Sequence, residues 1–131
     1  MQTKNLLCGG VAGTIFIFFY DWVVHGMLLM DKYEATAAVW RPQSEMEALF
    51  PFMVAMQAAL AFAIAYYVHK KGLHGFEAGA CFGAMIGVFL GIMSLSQYVH
   101  LPLALSLPVI WAVSILVTTT VTGGIAGYFN K

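Results

Sequence analysis

Gly75-Phe76-Glu77-Ala78-Gly79-Ala80-Cys81-Phe82-Gly83-Ala84-Met85-Ile86-Gly87-Val88-Phe89-Leu90-Gly91 places a glycine at every fourth residue, five in succession. On a helix each step of four turns the position by about 40° beyond a full circle. The five glycines therefore form one inclined groove. The residues between them are almost all apolar, with Glu77 at the entrance, and the run continues to about Val99. A segment of about 20 such residues is long enough to span a bilayer. In lipid, hydrophobicity does not drive helices together, so close backbone approach has to supply the contact, and glycine permits it. The stretch thus reads as a membrane span and as a packing face.

Working outward, matching small residues occur elsewhere. They are Gly9 and Gly13 in an apolar run near the N-terminus, and Ser114, Thr118, Thr122 and Ala126, followed by Gly127, near the C-terminus. Two uses of the groove stay open: packing inside one bundle, or contact with another subunit or a second copy. A pore lined by glycine and hydroxyls is a third.

Composition agrees with a membrane setting. Of 131 residues, 61% are hydrophobic and 9% charged, with a mean hydropathy of +0.83. Soluble domains carry about 25% charged residues, and this composition in water would expose large apolar patches. The formal net charge is zero, so no basic face points to nucleic acid.

Four segments are long and apolar enough to span, over about residues 6–30, 44–69, 76–99 and 102–129. The expectation is a single all-α domain, residues 1–131, forming an integral membrane four-helix bundle with short loops. The first run is too long for a signal peptide and lacks a small-x-small cleavage site behind a short apolar region, so a retained helix is expected.

The longest connection is residues 31–43, DKYEATAAVWRPQ. Ser44-Glu45-Met46-Glu47 reads as a capping box opening helix two. Residues 69–75, HKKGLHG, read as a solvated basic turn at the level of anionic headgroups. Pro102 fits the first turn of helix four. Lys4, Lys70, Lys71 and Lys131 share one side, against Lys32 and Arg41 on the other. That balance favours cytoplasmic termini in a bacterial inner membrane.

Ionisable residues within a span are expensive and are functional candidates by default. Asp21 lies roughly 22 Å along helix one from Leu6, and His25 about 28 Å. Four residues apart, they share a face and can pair as carboxylate and imidazole. Trp40, Arg41, Glu45, Tyr98 and His100 are expected on the same outer side. Two readings stay open. One is an interfacial belt of aromatic and charged side chains. The other is a site around Asp21, His25 and His100.

Three chemistries fit such a site. His25 and His100 with a carboxylate can ligate copper or zinc, although no HxH or HxxxH spacing occurs. The same two histidines on facing helices can hold a haem. Asp21 and His25 can form a relay in a small oligomeric transporter or channel. A path to the inner side has few further polar groups, namely Gln57 and Thr118, Thr119, Thr120 and Thr122.

Enzyme motifs are missing: there is no GxSxG, no P-loop and no GxGxxG, and Gly9-Gly10-x-x-Gly13 lies inside a span. Ser94 or Ser96 near His100 has no defined catalytic geometry. Cys8 and Cys81 make neither a disulfide framework nor a CxxC site.

The stretch Asp21-Trp22-Val23-Val24-His25-Gly26-Met27-Leu28-Leu29, with Tyr33, Ala35-Thr36 and Trp40-Arg41-Pro42, resembles uncharacterised small four-span bacterial membrane proteins. It covers about a quarter of the chain. The resemblance implies a four-helix fold in which the Trp-Arg-Pro loop folds back over the outer end of helix one. It brings no activity, cofactor or site residues.

From these observations the expected role is a non-catalytic accessory or assembly subunit of a larger membrane complex, using the glycine groove and loop 31–43 as contact surfaces. The transporter and the metal- or haem-binding protein are the alternatives.

Overall fold

The computed structural model describes residues 3–131. The chain is a multi-pass membrane protein built as a helical bundle, with four helices long and apolar enough to cross a bilayer. Helix α1 (Thr3–Val23) runs into a π-helical turn over Val24–Leu28, closed by the Leu29 amide on the Val24 carbonyl at 2.9 Å. A short α2 (Met30–Ala35) and a 3₁₀ turn (Ala37–Val39) follow. Then come α3 (Gln43–Ala48), α4 (Phe50–Lys70), α5 (Phe76–Leu95), α6 (Gln97–His100) and α7 (Ser106–Phe129). Four crossings put both termini and the 71–75 turn at one end, the terminal end. Residues 29–49 and 96–105 lie at the other, the loop end.

The expected helix two is divided. Pro51 has no N–H to give the Glu47 carbonyl and instead opens α4, a position that suits its fixed φ. Leu49, at φ −91° and ψ 0°, makes the break. The capping box does not form. Pro42 precedes α3 and Ser44 lies inside it, while Gln43 Nε2 donates to Glu47 Oε1 at 3.2 Å. Helix four also begins later than expected. Leu101 is extended, at φ −113° and ψ 133°, as the residue before a proline tends to be. Leu103 turns inward against Leu29 and Leu107, and Pro108 rather than Pro102 occupies the first turn.

Helix α7 is the hub. On one face it meets α5, the most extensive pairing in the bundle. A Cβ on Gly79 would overlap the Gly123 carbonyl, and one on Gly83 the Thr119 carbonyl. At Gly87 a Cβ would stand 2.8 Å from the Leu116 Cα; at Gly91 it would meet the Ala112 carbonyl oxygen at 3.3 Å. Gly75 joins this contact by its backbone: a Cβ on Gly75 itself would meet nothing, but one on Gly127 would overlap the Gly75 carbonyl. Gly75 has φ +84°, the left-handed region that suits glycine, and its amide donates to the Gly127 carbonyl at 2.9 Å.

The other face of α7 meets α1 and α4. A Cβ on Gly9 would touch the Ala126 Cα at 3.2 Å and the Ala65 Cβ at 3.7 Å. One turn on, a Cβ at Gly13 would touch Thr122 Cγ2 at 3.0 Å and the Ala61 Cβ at 3.3 Å. The small residues of α7 thus divide between two partners. Thr119, Gly123 and Gly127 serve α5, whereas Thr122 and Ala126 serve α1. The stripe Ser114, Thr118, Thr122 and Ala126, read from sequence as the partner of the glycine groove, lies on the α1 side at Thr122 and Ala126.

At the terminal end Lys70, Lys71 and His74 are exposed as expected, and a clasp closes beneath them. His69 is buried in the last turn of α4, its Nδ1 donating to the Ala65 carbonyl at 2.8 Å. His74 Nδ1 donates to the Asn130 carbonyl at 2.7 Å, and Asn130 Nδ2 to the Leu73 carbonyl at 3.0 Å. Carbonyls at a helix end need donors. His74 supplies one at the end of α7, whereas His69, buried within α4, is structural rather than solvated.

Candidate functional site

At the loop end α1 and α4 part around a cavity of about 1040 Å³. Phe18, Asp21, Trp22 and His25 line it from one face of α1 and its π turn. Phe50, Met53 and Gln57 line it from the opposing face of α4, and the loop adds Tyr33, Glu34, Trp40 and Arg41. Helical spacing puts each set on one stripe. A π turn widens a helix locally and is frequent at functional sites. Here it carries His25 and Gly26, and the indole of Trp22 lies against Gly26, where a Cβ would stand 2.8 Å from Trp22 Cδ1.

Two polar groups form the floor. In the first, Gln57 Nε2 donates to Asp21 Oδ2 at 2.9 Å. Gln57 is buried at 7% exposure, and its Oε1 has no partner. In the second, Tyr33 Oη accepts the Trp111 indole N–H at 2.8 Å and lies 2.6 Å from His25 Nδ1. Indole only donates, so the single phenolic hydrogen is free to go to His25 Nδ1. That arrangement satisfies all three groups and leaves the imidazole proton on Nε2. Burial raises the Tyr33 pKa above its ordinary value of 10.0; the Trp111 hydrogen bond opposes the shift and the Asp21 charge adds to it. The phenol therefore keeps its hydrogen at neutral pH.

Aromatic packing holds the loop down. Tyr33 and Trp40 meet edge-to-face with centroids 5.5 Å apart, and Trp40 and Trp111 likewise at 6.0 Å. Trp40 Nε1 donates to Thr36 Oγ1 at 2.9 Å. The loop does fold back over the end of α1, through Tyr33 on His25.

The expected cluster divides accordingly. Asp21, His25, Trp40 and Arg41 line the cavity; Glu45, Tyr98 and His100 do not. Glu45 pairs with Arg41 at 3.2 Å on the surface, with both side chains more than half exposed. Tyr98 and His100 are exposed on α6, outside the cavity that His25 lines. Among the described residues no group of three or more His, Cys, Asp or Glu is placed to hold a metal ion.

Gln57 and Trp111 join the site from helices on which the sequence did not place it. Gln57 was expected on an inner path, and Trp111 gave no signal beyond being the one tryptophan of its helix. Toward the terminal end the cavity stops at Gln57. One turn deeper, Gly13, Ala61 and Thr122 close the seam between α1, α4 and α7.

No family model, curated protein or solved structure matches the chain.

Proposed function

We propose that this chain is a membrane-embedded binding protein that takes a small amphipathic molecule into the loop-end cavity. The observation that carries the reading is the cavity itself. Its volume of about 1040 Å³ stands at the upper end of ordinary small-molecule sites, which run to roughly 1,000 Å³. Its walls are aromatic, and a few fixed polar groups meet at its floor, the usual division between affinity and orientation. The accessory-subunit reading used the glycine groove and loop 31–43 as its contact surfaces. Since α7 fills that groove, the cavity is the better support for a function.

The topology that suits this reading is a bacterial inner membrane with cytoplasmic termini, since four Lys or Arg residues lie at the terminal end against two at the loop end. The molecule would then enter from the outer leaflet. Because Gly13, Ala61 and Thr122 close the seam below, binding rather than open conduction is the activity proposed. A carrier would need that seam to part.

The chain offers a direct test, because all three of its tryptophans, Trp22, Trp40 and Trp111, line the cavity. Protein in phosphatidylcholine nanodiscs is titrated with ω-bromoundecanol, whose bromine quenches indole emission. Saturable quenching that is lost when Ala37→Phe fills the cavity is the expected result. Quenching that rises linearly and equally in both proteins would sink the reading.

A further inference from the structure

We infer that the cavity selects a lipophilic primary ammonium, with the Asp21 carboxylate as its counter-ion. The inference rests on the cavity being a binding site and names the chemical class it takes.

The floor is rich in acceptors and poor in cations; its one imidazole, His25, is neutral while it takes the Tyr33 hydrogen at Nδ1, and it offers a single N–H at Nε2. A carboxylate within a span is expensive unless it is paired. Asp21 has a neutral amide as its hydrogen-bond partner. Among the described residues the one salt bridge is Arg41–Glu45, at the surface. Gln57 commits its donor to Asp21, so its buried, unpartnered Oε1 is a second acceptor on the same floor. Glu34 and Glu47 add carboxylates to the wall. Arg41 is the one lysine or arginine there, and Glu45 already holds it.

A ligand suited to this floor brings N–H donors and positive charge. An ammonium can donate to Asp21 and to Gln57 Oε1 together, and charge-assisted hydrogen bonds are the stronger kind. Its alkyl or aryl body would lie against Phe18, Trp22 and Phe50. Ring faces also attract a cation, most strongly at tryptophan and when water is excluded. A carboxylate or phosphate head would meet Asp21, Glu34 and Glu47 without a free cation. That disfavours an aminophospholipid, which carries its phosphate beside its amine, and favours a free amine.

The test uses three probes that share one chain and differ in the head: ω-bromoundecylamine, ω-bromoundecanol and ω-bromoundecanoate. Tryptophan quenching is followed in phosphatidylcholine nanodiscs at neutral pH, for wild type and Asp21→Asn. Asparagine keeps the shape and still accepts from Gln57, and comparing two proteins in the same lipid cancels probe partitioning. The expected result is at least a tenfold loss of amine affinity in Asp21→Asn, with alcohol affinity changed less than threefold. Saturable alcohol binding with amine affinity unchanged in the variant would overturn the ammonium assignment and leave the binding reading standing. Tighter binding of the carboxylate than of the amine would overturn it too. If no probe quenches saturably, both readings fall. Repeating the amine titration with phosphatidylethanolamine in the disc separates the sources. Unchanged affinity keeps the free amine as occupant, and competition by the lipid overturns it.

Discussion

The seam between α5 and α7 and the cavity between α1 and α4 are both built from residues that share one helix face, with opposite results. Along the seam the repeated residue is glycine, and backbone meets backbone. At the loop end the stripe on α1 is Phe18, Asp21, Trp22 and His25, facing Phe50, Met53 and Gln57. These side chains are large or polar, so the helices stand apart and enclose space. In lipid, where association relies on close packing and interhelical hydrogen bonds, side-chain size along a stripe decides whether a helix pair closes or opens. One protein uses both. The closed seam packs backbone on backbone, and the open pair, tied by Asp21–Gln57 and Tyr33–His25, borders the candidate site.

The contrast breaks most sharply at Gly83. Leucine there would drive a Cβ into the Thr119 carbonyl, and backbone cannot swing aside as a side chain can. Gly83→Leu should lose about 3 kcal/mol or more, the upper end for overpacking. Loss of the monodisperse peak in mild detergent is the readout; an unchanged elution profile and melting temperature would refute the seam.

On the cavity side, Tyr33→Phe removes one hydroxyl that serves two partners, leaving the Trp111 N–H without an acceptor. A loss of about 1–3 kcal/mol is expected, read as a lower melting temperature together with a shift in tryptophan emission. Its pH dependence sharpens the point. The folded state favours the neutral phenol, so Tyr33 contributes stability that is fully present below its ordinary value of 10.0 and lost as pH rises beyond it. The stability gap between wild type and Tyr33→Phe should be constant below that pH and narrow above it. A gap that stays constant through strongly alkaline pH would argue against a half-buried phenol held neutral by the fold.

Gly91→Ala tests how far the seam extends. Its Cβ would meet the Ala112 carbonyl oxygen at 3.3 Å, a contact that a shift of a few tenths of an ångström relieves. A change below about 1 kcal/mol is expected, well under typical overpacking, and a loss equal to that at Gly83 would show the seam to be uniformly tight. The smallest effect should come from Arg41–Glu45. Both partners are more than half exposed, so a double-mutant cycle should return less than about 1 kcal/mol.

Much of the seam was legible, because a glycine at every fourth residue has few uses other than close approach. The partner helix and Gly127 were legible too, but the rest of the partner stripe was misassigned. Ser114, Thr118, Thr122 and Ala126 and the set Thr119, Gly123 and Gly127 are both small-residue stripes, a fraction of a turn apart on one helix, and spacing alone does not say which faces α5. The candidate site was legible in part. Asp21 and His25 stood out because charge within a span is rare, and Trp40 and Arg41 because they lie close by in the chain. His100 was included for its chemistry, and it lies on exposed α6, outside the cavity. Gln57 and Trp111 escaped because their partners lie 36 and 78 residues away.

By itself the sequence determined that this chain is a set of four spanning helices, where each can pack closely, and that Asp21 and His25 share a face. Tertiary structure alone decided which way each helix turns: α7 with one small face on α5 and the other on α1, Gln57 on Asp21, and Trp111 on Tyr33. The reason is physical. In water, the contrast between an apolar face and a polar face sets a helix's rotation. Spans that are apolar all round carry no such contrast in lipid, so rotation is set by contacts between residues far apart in the chain.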